Sequence, residues 1–233
     1  MISNTIPDIE IERNETYFNK VYSILKKYIL TGEIKAGTIM NERALAEQLN
    51  FSRTPVHDAL RSLTNEGWLV NEGRSRVVKM LSKTEIEDIM NIRPSIDEMI
   101  FSELRARQGK MVFDFSPLYD ALNKIDNAYN TFRITKEPTE LLQADISWHI
   151  ALARLPKSQI LTDIYSIFSE RLLRTFFICY TEESTAGIYS THGNMTALLE
   201  SGDIEGTRNL LISSCTKWGE DTRKVLNEML SDE

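Results

Sequence analysis

Ser52-Arg53-Thr54-Pro55-Val56-His57-Asp58-Ala59-Leu60 is the stretch on which the reading of this 233-residue chain turns. Ser52 stands where a helix N-cap belongs, and Pro55 falls in the first turn, where a missing N–H loses no partner. Val56, Leu60 and Leu63 then recur at helical spacing up to Glu66-Gly67. Upstream, Glu42 to Leu49 reads as a compact helix with Leu45 and Leu49 inward, and a break at Asn50-Phe51 separates the two. Two short helices joined by a tight turn are a helix-turn-helix.

Working outward, Tyr17, Val21, Tyr22, Ile24, Leu25, Tyr28 and Ile29 repeat at three and four, and Gly32 supplies the stop. Gly37 marks a short turn. Past Gly67 the period shortens: Trp68-Leu69-Val70 and Val77-Val78-Lys79-Met80 are β-prone runs around Asn71-Glu72-Gly73-Arg74-Ser75-Arg76, a small hairpin with a basic tip. Ser82 and Glu85 have the spacing of a capping box, so a new helix begins there and the boundary between domains falls near residues 81–84. The remainder is helix-period, with segments near 84–109, 116–132, 138–155, 158–180, 188–201 and 204–229, punctuated by Gly109, Pro138, Pro156, Gly187 and Gly202. The expected fold is therefore mostly α: an N-terminal tail over 1–13, a winged helix-turn-helix with a β-hairpin wing over 14–81, and an antiparallel all-helical bundle over 84–231.

Charge divides the chain in the same way. Residues 13–83 hold 12 Lys and Arg against 7 Asp and Glu, whereas residues 84–233 hold 15 against 24, within a net charge of −7. A basic front attracts a polyanion, and an acidic back limits indiscriminate binding. Two cysteines, Cys179 and Cys215, make no disulfide framework. No apolar run approaches the ~20 residues that span a bilayer, and the first residues show no basic-then-apolar leader. The expectation is a cytoplasmic protein with no membrane partner.

The front residues suggest double-stranded DNA as the partner. A recognition helix sets its first turn in the major groove, where Arg53 can donate twice to guanine. The hydroxyls of Ser52 and Thr54, with the helix N-terminus, suit a phosphate. Arg74 and Arg76 on the wing can reach the backbone or a minor groove.

Ile29-Leu30-Thr31-Gly32-Glu33-Ile34-Lys35-Ala36-Gly37, Glu42-Arg43-Ala44-Leu45-Ala46-Glu47-Gln48-Leu49, the stretch from Ser52 to Leu60, and Glu66-Gly67-Trp68-Leu69 together resemble the GntR family of transcription regulators. The resemblance implies that Arg43 and Arg53 contact DNA and that the wing near Gly73 reaches the groove edge. It also marks a departure, because the family usually carries arginine where this chain has His57.

In the back half, Asp145 and His149 lie one helical turn apart on one face, and His192 on a later helix can join them around a divalent metal. The same residues, with Trp148 and Gly202-Asp203, resemble the effector domain of the FadR-like branch, the FCD domain. That resemblance implies a zinc- or nickel-type ion held by one Asp and three His, which helps capture a carboxylate effector. Here Ser214 stands where the third His is expected, so either water or the effector completes a three-ligand site or the pocket is metal-free. It also implies that Arg93 faces the pocket; Arg174 on another helix is a further candidate for an acidic effector, an organic acid.

The function expected is an effector-responsive DNA-binding regulator, a repressor acting as a homodimer on an inverted repeat. Two alternatives are a metal-dependent hydrolase using Asp145, His149 and His192, and a ligand-free architectural DNA binder whose bundle core would be apolar and filled.

Overall fold

The structure, a computed structural model, describes residues 16–182, Thr185 and 187–231; the tail expected over 1–13 lies outside the described residues. The chain divides into two compact units, Met1–Met80 and Leu81–Glu233.

The front unit holds α1 (Tyr17–Leu30), α2 (Glu42–Leu49), α3 (Arg53–Asn65), β1 (Leu69–Glu72) and β2 (Ser75–Val78). Apolar periodicity decides which faces turn inward. Val21, Leu25 and Ile29 of α1 meet Val56, Ala59, Leu60 and Leu63 of α3, with Trp68, Leu69 and Val78 closing the core. In α2 the fully buried residue is Ala46, and Leu45 and Leu49 pack half-buried against it. Asn41 caps α2 by accepting from the N–H groups of Arg43 and Ala44, and Asn50 ends it in the left-handed region.

Ser52 occupies the N-cap position of α3 but makes no capping hydrogen bond. An N-cap hydroxyl accepts from the second or third helical N–H, and the third residue here is Pro55, which has none. The hydroxyl is therefore not consumed by the helix.

The hairpin is tighter than the sequence suggests. Asn71 pairs with Arg76 and Glu72 with Ser75, so only Gly73 and Arg74 form the tip. Gly73 lies at φ 60°, the positive value that the first position of a type II′ turn requires. Gly37 lies in the expected short turn, at φ 81°, and the segment after it runs along β2: Ile39 bridges Val77, and Met40 donates its N–H to the Arg76 carbonyl at 2.8 Å.

The back unit comprises α4 (Lys83–Arg107), α5 (Ser116–Thr135), α6 (Thr139–Arg154), α7 (Gln159–Ile178), α8 (Ile188–Glu200) and α9 (Ile204–Ser231). Ser82 and Glu85 form the expected capping box at the start of α4. The buried stripe of α4 runs Ile86, Ile89, Met90, Arg93, Ile96, Asp97, Ile100, Phe101, Leu104, so two charges sit at core positions one turn apart. Helix α6 packs against both α5 and α7 and buries residues on most of its circumference, including Asp145, Trp148 and His149. Helix α9 packs against α4 and α8, which brings the last helix to the site that α4, α6 and α8 line.

Candidate nucleic-acid interface and ligand cavity

On α3 the buried positions 56, 59, 60 and 63 leave the opposite face to solvent, and that face carries Arg53, Thr54, His57 and Arg61. Neither Arg53 nor Arg61 makes an ion pair among the described residues, so both guanidinium groups are available to a polyanion. Arg61 lies one helical turn beyond His57 on the same face, a spacing the sequence itself carries. Arg43 at the start of α2 is exposed and donates to Glu47, its i+4 neighbour. Arg74 stands exposed at the hairpin tip beside Gly73.

Arg76 is placed differently from the expectation of a free wing arginine. Its Nη1 donates to Oε1 of Glu42 at 2.5 Å, and Nδ1 of His57 lies 2.9 Å from the same oxygen. The cause is register: Arg76 pairs with Asn71 inside the ladder rather than at the tip. Glu42 thereby ties α2, α3 and β2 together.

The back unit contains a cavity of about 190 Å³. Arg93, Asp145, His149, His192 and Ser214 all line it, as the sequence suggested. Arg174 does not. It is buried on another face of α7, near Glu85 of α4. Phe176, two residues on and so roughly 200° around the helix, lines the cavity in its place. Cys215, Trp218 and Asp221 also line it, unanticipated, although the i+4 and i+7 steps from Ser214 lead to the last two.

Asp145, His149 and His192 bring one ligand atom each to within 4.8 Å of one another. His192 Nδ1 lies 2.7 Å from the Ile188 carbonyl, which can only accept, so Nδ1 carries a hydrogen and the ring turns Nε2 toward the cluster. Nε2 of His149 lies 3.3 Å from Nη2 of Arg93, a donor, so it is an acceptor. His192 Nε2 is 3.3 Å from His149 Nε2 and 3.3 Å from Asp145 Oδ1. One carboxylate oxygen and two imidazole nitrogens thus converge, and this donor set fits a zinc- or nickel-type ion. Ser214, in place of a further imidazole, spends its hydroxyl on the Leu210 carbonyl. Trp148 is a core prop rather than a stacking platform. It donates to Thr196 at 3.0 Å and packs its ring edge-to-face on His192 and His149.

Burial is the first cause of the shifts of His149, Asp145 and Asp97. It holds His149 well below the ordinary imidazole range, with Arg93 and His192 adding to the effect. It pushes Asp145 up, against the pull of His192 and Arg93. Asp97 is likewise raised by burial while Arg93, whose Nε is 3.5 Å away, pulls it down. Arg93 is further fixed between the rings of Phe176 and Trp218, 5.8 and 5.5 Å from its guanidinium carbon. Buried charge around a cavity contradicts the apolar, filled core of an architectural binder.

Residues 18–78 match the family of bacterial regulatory proteins called gntR, and residues 114–214 match the FCD domain. A gluconate operon transcriptional repressor of Bacillus licheniformis is 30% identical over 131 residues, 56% of this chain but only 51% of that protein, so the match spans about half of that curated relative. The Nta operon transcriptional regulator of Aminobacter aminovorans is 26% identical over 71% of this chain and 75% of that one. In fold, a GntR regulator from Rhodococcus sp. RHA1 superimposes with a TM-score of 0.75, covering 89% of this chain and 97% of that one at 19% identity. These relatives are regulators rather than enzymes. A helix-turn-helix with an exposed basic face, followed by a bundle with a charged cavity, accords with both matches, and the chain belongs to the GntR family of bacterial regulatory proteins, with an FCD domain in its back unit.

Proposed function

We propose that the protein is a transcription repressor that reads an inverted-repeat operator as a homodimer and responds to a small organic acid bound in the back-unit cavity. The observation that carries this reading is the buried Arg93 guanidinium in a cavity that also holds the Asp145, His149 and His192 cluster. A fixed guanidinium suits a carboxylate. At about 190 Å³ the cavity lies below the ~300–1,000 Å³ of drug-sized ligand sites, which favours a short acid over a long acyl chain. The Bacillus licheniformis relative bears the name of a repressor, and this reading extends that role to the present chain. Asp145, His149 and His192 would hold a divalent ion, whose charge supplies a second docking point for the carboxylate. The acid regulates by favouring one arrangement of the dimer over another, and it shifts that equilibrium only by its difference in affinity for the two.

Fluorescence anisotropy with a selected duplex, titrated with short mono-, di- and hydroxy-acids, tests the reading. At least one acid should change DNA affinity several-fold in the wild type. Arg93→Lys, which keeps a cation beside Asp97, should bind DNA normally and lose most of that response. No response to any acid, with no ligand-dependent rise in melting temperature, would refute the effector assignment. Elemental analysis of the purified protein should give close to one zinc- or nickel-type ion per chain in the wild type and a marked loss in His192→Ala.

A further inference from the structure

We infer that Glu42 fixes His57 as a hydrogen-bond acceptor toward DNA, so that the base under His57 offers an amino group, adenine N6 or cytosine N4, in the major groove. The inference rests on the reading of α3 as the recognition helix and adds to it which base chemistry one of its side chains selects.

The argument runs through protons. A carboxylate has no proton to give, so the 2.9 Å contact between His57 Nδ1 and Glu42 Oε1 requires the hydrogen on Nδ1. The same oxygen accepts from Arg76 at 2.5 Å, which holds the carboxylate in place against His57. A neutral imidazole with its hydrogen on Nδ1 bears a lone pair on Nε2. That nitrogen has no hydrogen-bond partner among the described residues, and the side chain is 48% exposed. His57 lies one turn beyond Arg53 on the exposed face of α3.

In the major groove, guanine presents only acceptors, whereas adenine N6 and cytosine N4 present donors. A fixed acceptor on the protein therefore repels guanine and pairs with an amino group. Arginine, the residue the family usually has at this position, is donor-only and suits guanine. The substitution to histidine, with Glu42 behind it, inverts the hydrogen-bond polarity at one base pair of each half-site.

In vitro selection from random-sequence duplexes with the 233-residue chain at pH 8.0 tests this. The wild type should return adenine or cytosine at one position per half-site. His57→Ala should erase the preference there and nowhere else, and His57→Arg should change it to guanine. Replacing the selected base by its analogue without the amino group, purine for adenine or 2-pyrimidinone for cytosine, should weaken the wild type about 5-fold and scarcely affect His57→Ala. Glu42→Gln, whose amide can donate as well as accept, should admit guanine at that position. In the free protein, long-range ¹H–¹⁵N correlation spectra of His57 should show the hydrogen on Nδ1.

The inference is overturned if the hydrogen is found on Nε2, or if the wild type selects guanine at the position that His57→Ala alters. It is also overturned if His57→Ala alters no position while Arg53→Ala abolishes other preferences; the recognition helix then stands. If Arg53→Ala also leaves every preference intact, the reading of α3 falls together with the inference.

Discussion

Arg93 and Asp97 show how much a single buried pair can weigh. Their side chains are 5% and 2% exposed, and Asp97 also receives the Tyr165 hydroxyl at 3.4 Å. Truncating one partner leaves the other in a low-dielectric site without compensation. Arg93→Ala should therefore lower unfolding free energy by about 3–5 kcal/mol in urea titrations, and Arg93→Ala with Asp97→Ala should lose less than the two single losses added together. Cys179, outside the cavity lining, supplies a separate titration signal. Burial pushes its thiol up to about 11 from 9.0, so between those values the unfolded chain releases a proton that the folded chain keeps. Its contribution is whole below pH 9 and declines as pH rises toward 11. Cys179→Ala should accordingly show a smaller fall in melting temperature than the wild type between pH 8 and 10.5. Native Cys179 should also react slowly with a thiol reagent at pH 8 and quickly in denaturant.

Two serines with the same position in their helices have opposite duties. Ser82 accepts from the Glu85 N–H, while Glu85 accepts from the Ser82 N–H at 3.0 Å, closing both ends of a capping box on α4. Ser52 begins α3 with no capping bond, because Pro55 has removed one of the N–H groups it would have satisfied. Ser82→Ala should therefore cost about 1 kcal/mol of stability, and Ser52→Ala less than about 0.5 kcal/mol. DNA affinity should show the reverse order, with Ser52→Ala weakening binding and Ser82→Ala leaving it close to the wild type. Equal stability losses for the two would show that the α3 N-terminus relies on a bond the structure lacks.

For the whole molecule, the −7 net charge matters less than its division between the two units. A basic face on an otherwise acidic protein makes DNA binding strongly dependent on salt, because each neutralised phosphate releases a counterion. The slope of log affinity against log salt should fall by about 1 on replacing Arg74 with Ala, at every operator sequence tested. Arg53→Ala should instead cost about 1–3 kcal/mol at the operator and much less on unrelated duplexes. No helix among the described residues is long and apolar enough to cross a membrane.

Elements were legible in the sequence wherever local chemistry decides them. The three-and-four spacing of Val21, Leu25 and Ile29, the Ser82–Glu85 box and the glycines past the helix ends mark helices without reference to any neighbour. So too does the pairing of Asp145 with His149, since one helix turn joins them. The alternation around Gly73 foretold a hairpin but not its register. Register depends on which residues pair across the strands, and that moved Arg76 from the tip to Glu42. The helical period also does not tell which face of α7 meets the cavity, and it is Phe176 rather than Arg174 that lines it. Contacts between residues far apart in sequence were left to the tertiary structure: Arg93 with His149, His149 with His192, Glu42 with His57. Spacing along a chain reports neighbours on one element, whereas a lone pair finds its proton, or its cation, only after packing has brought separate elements together.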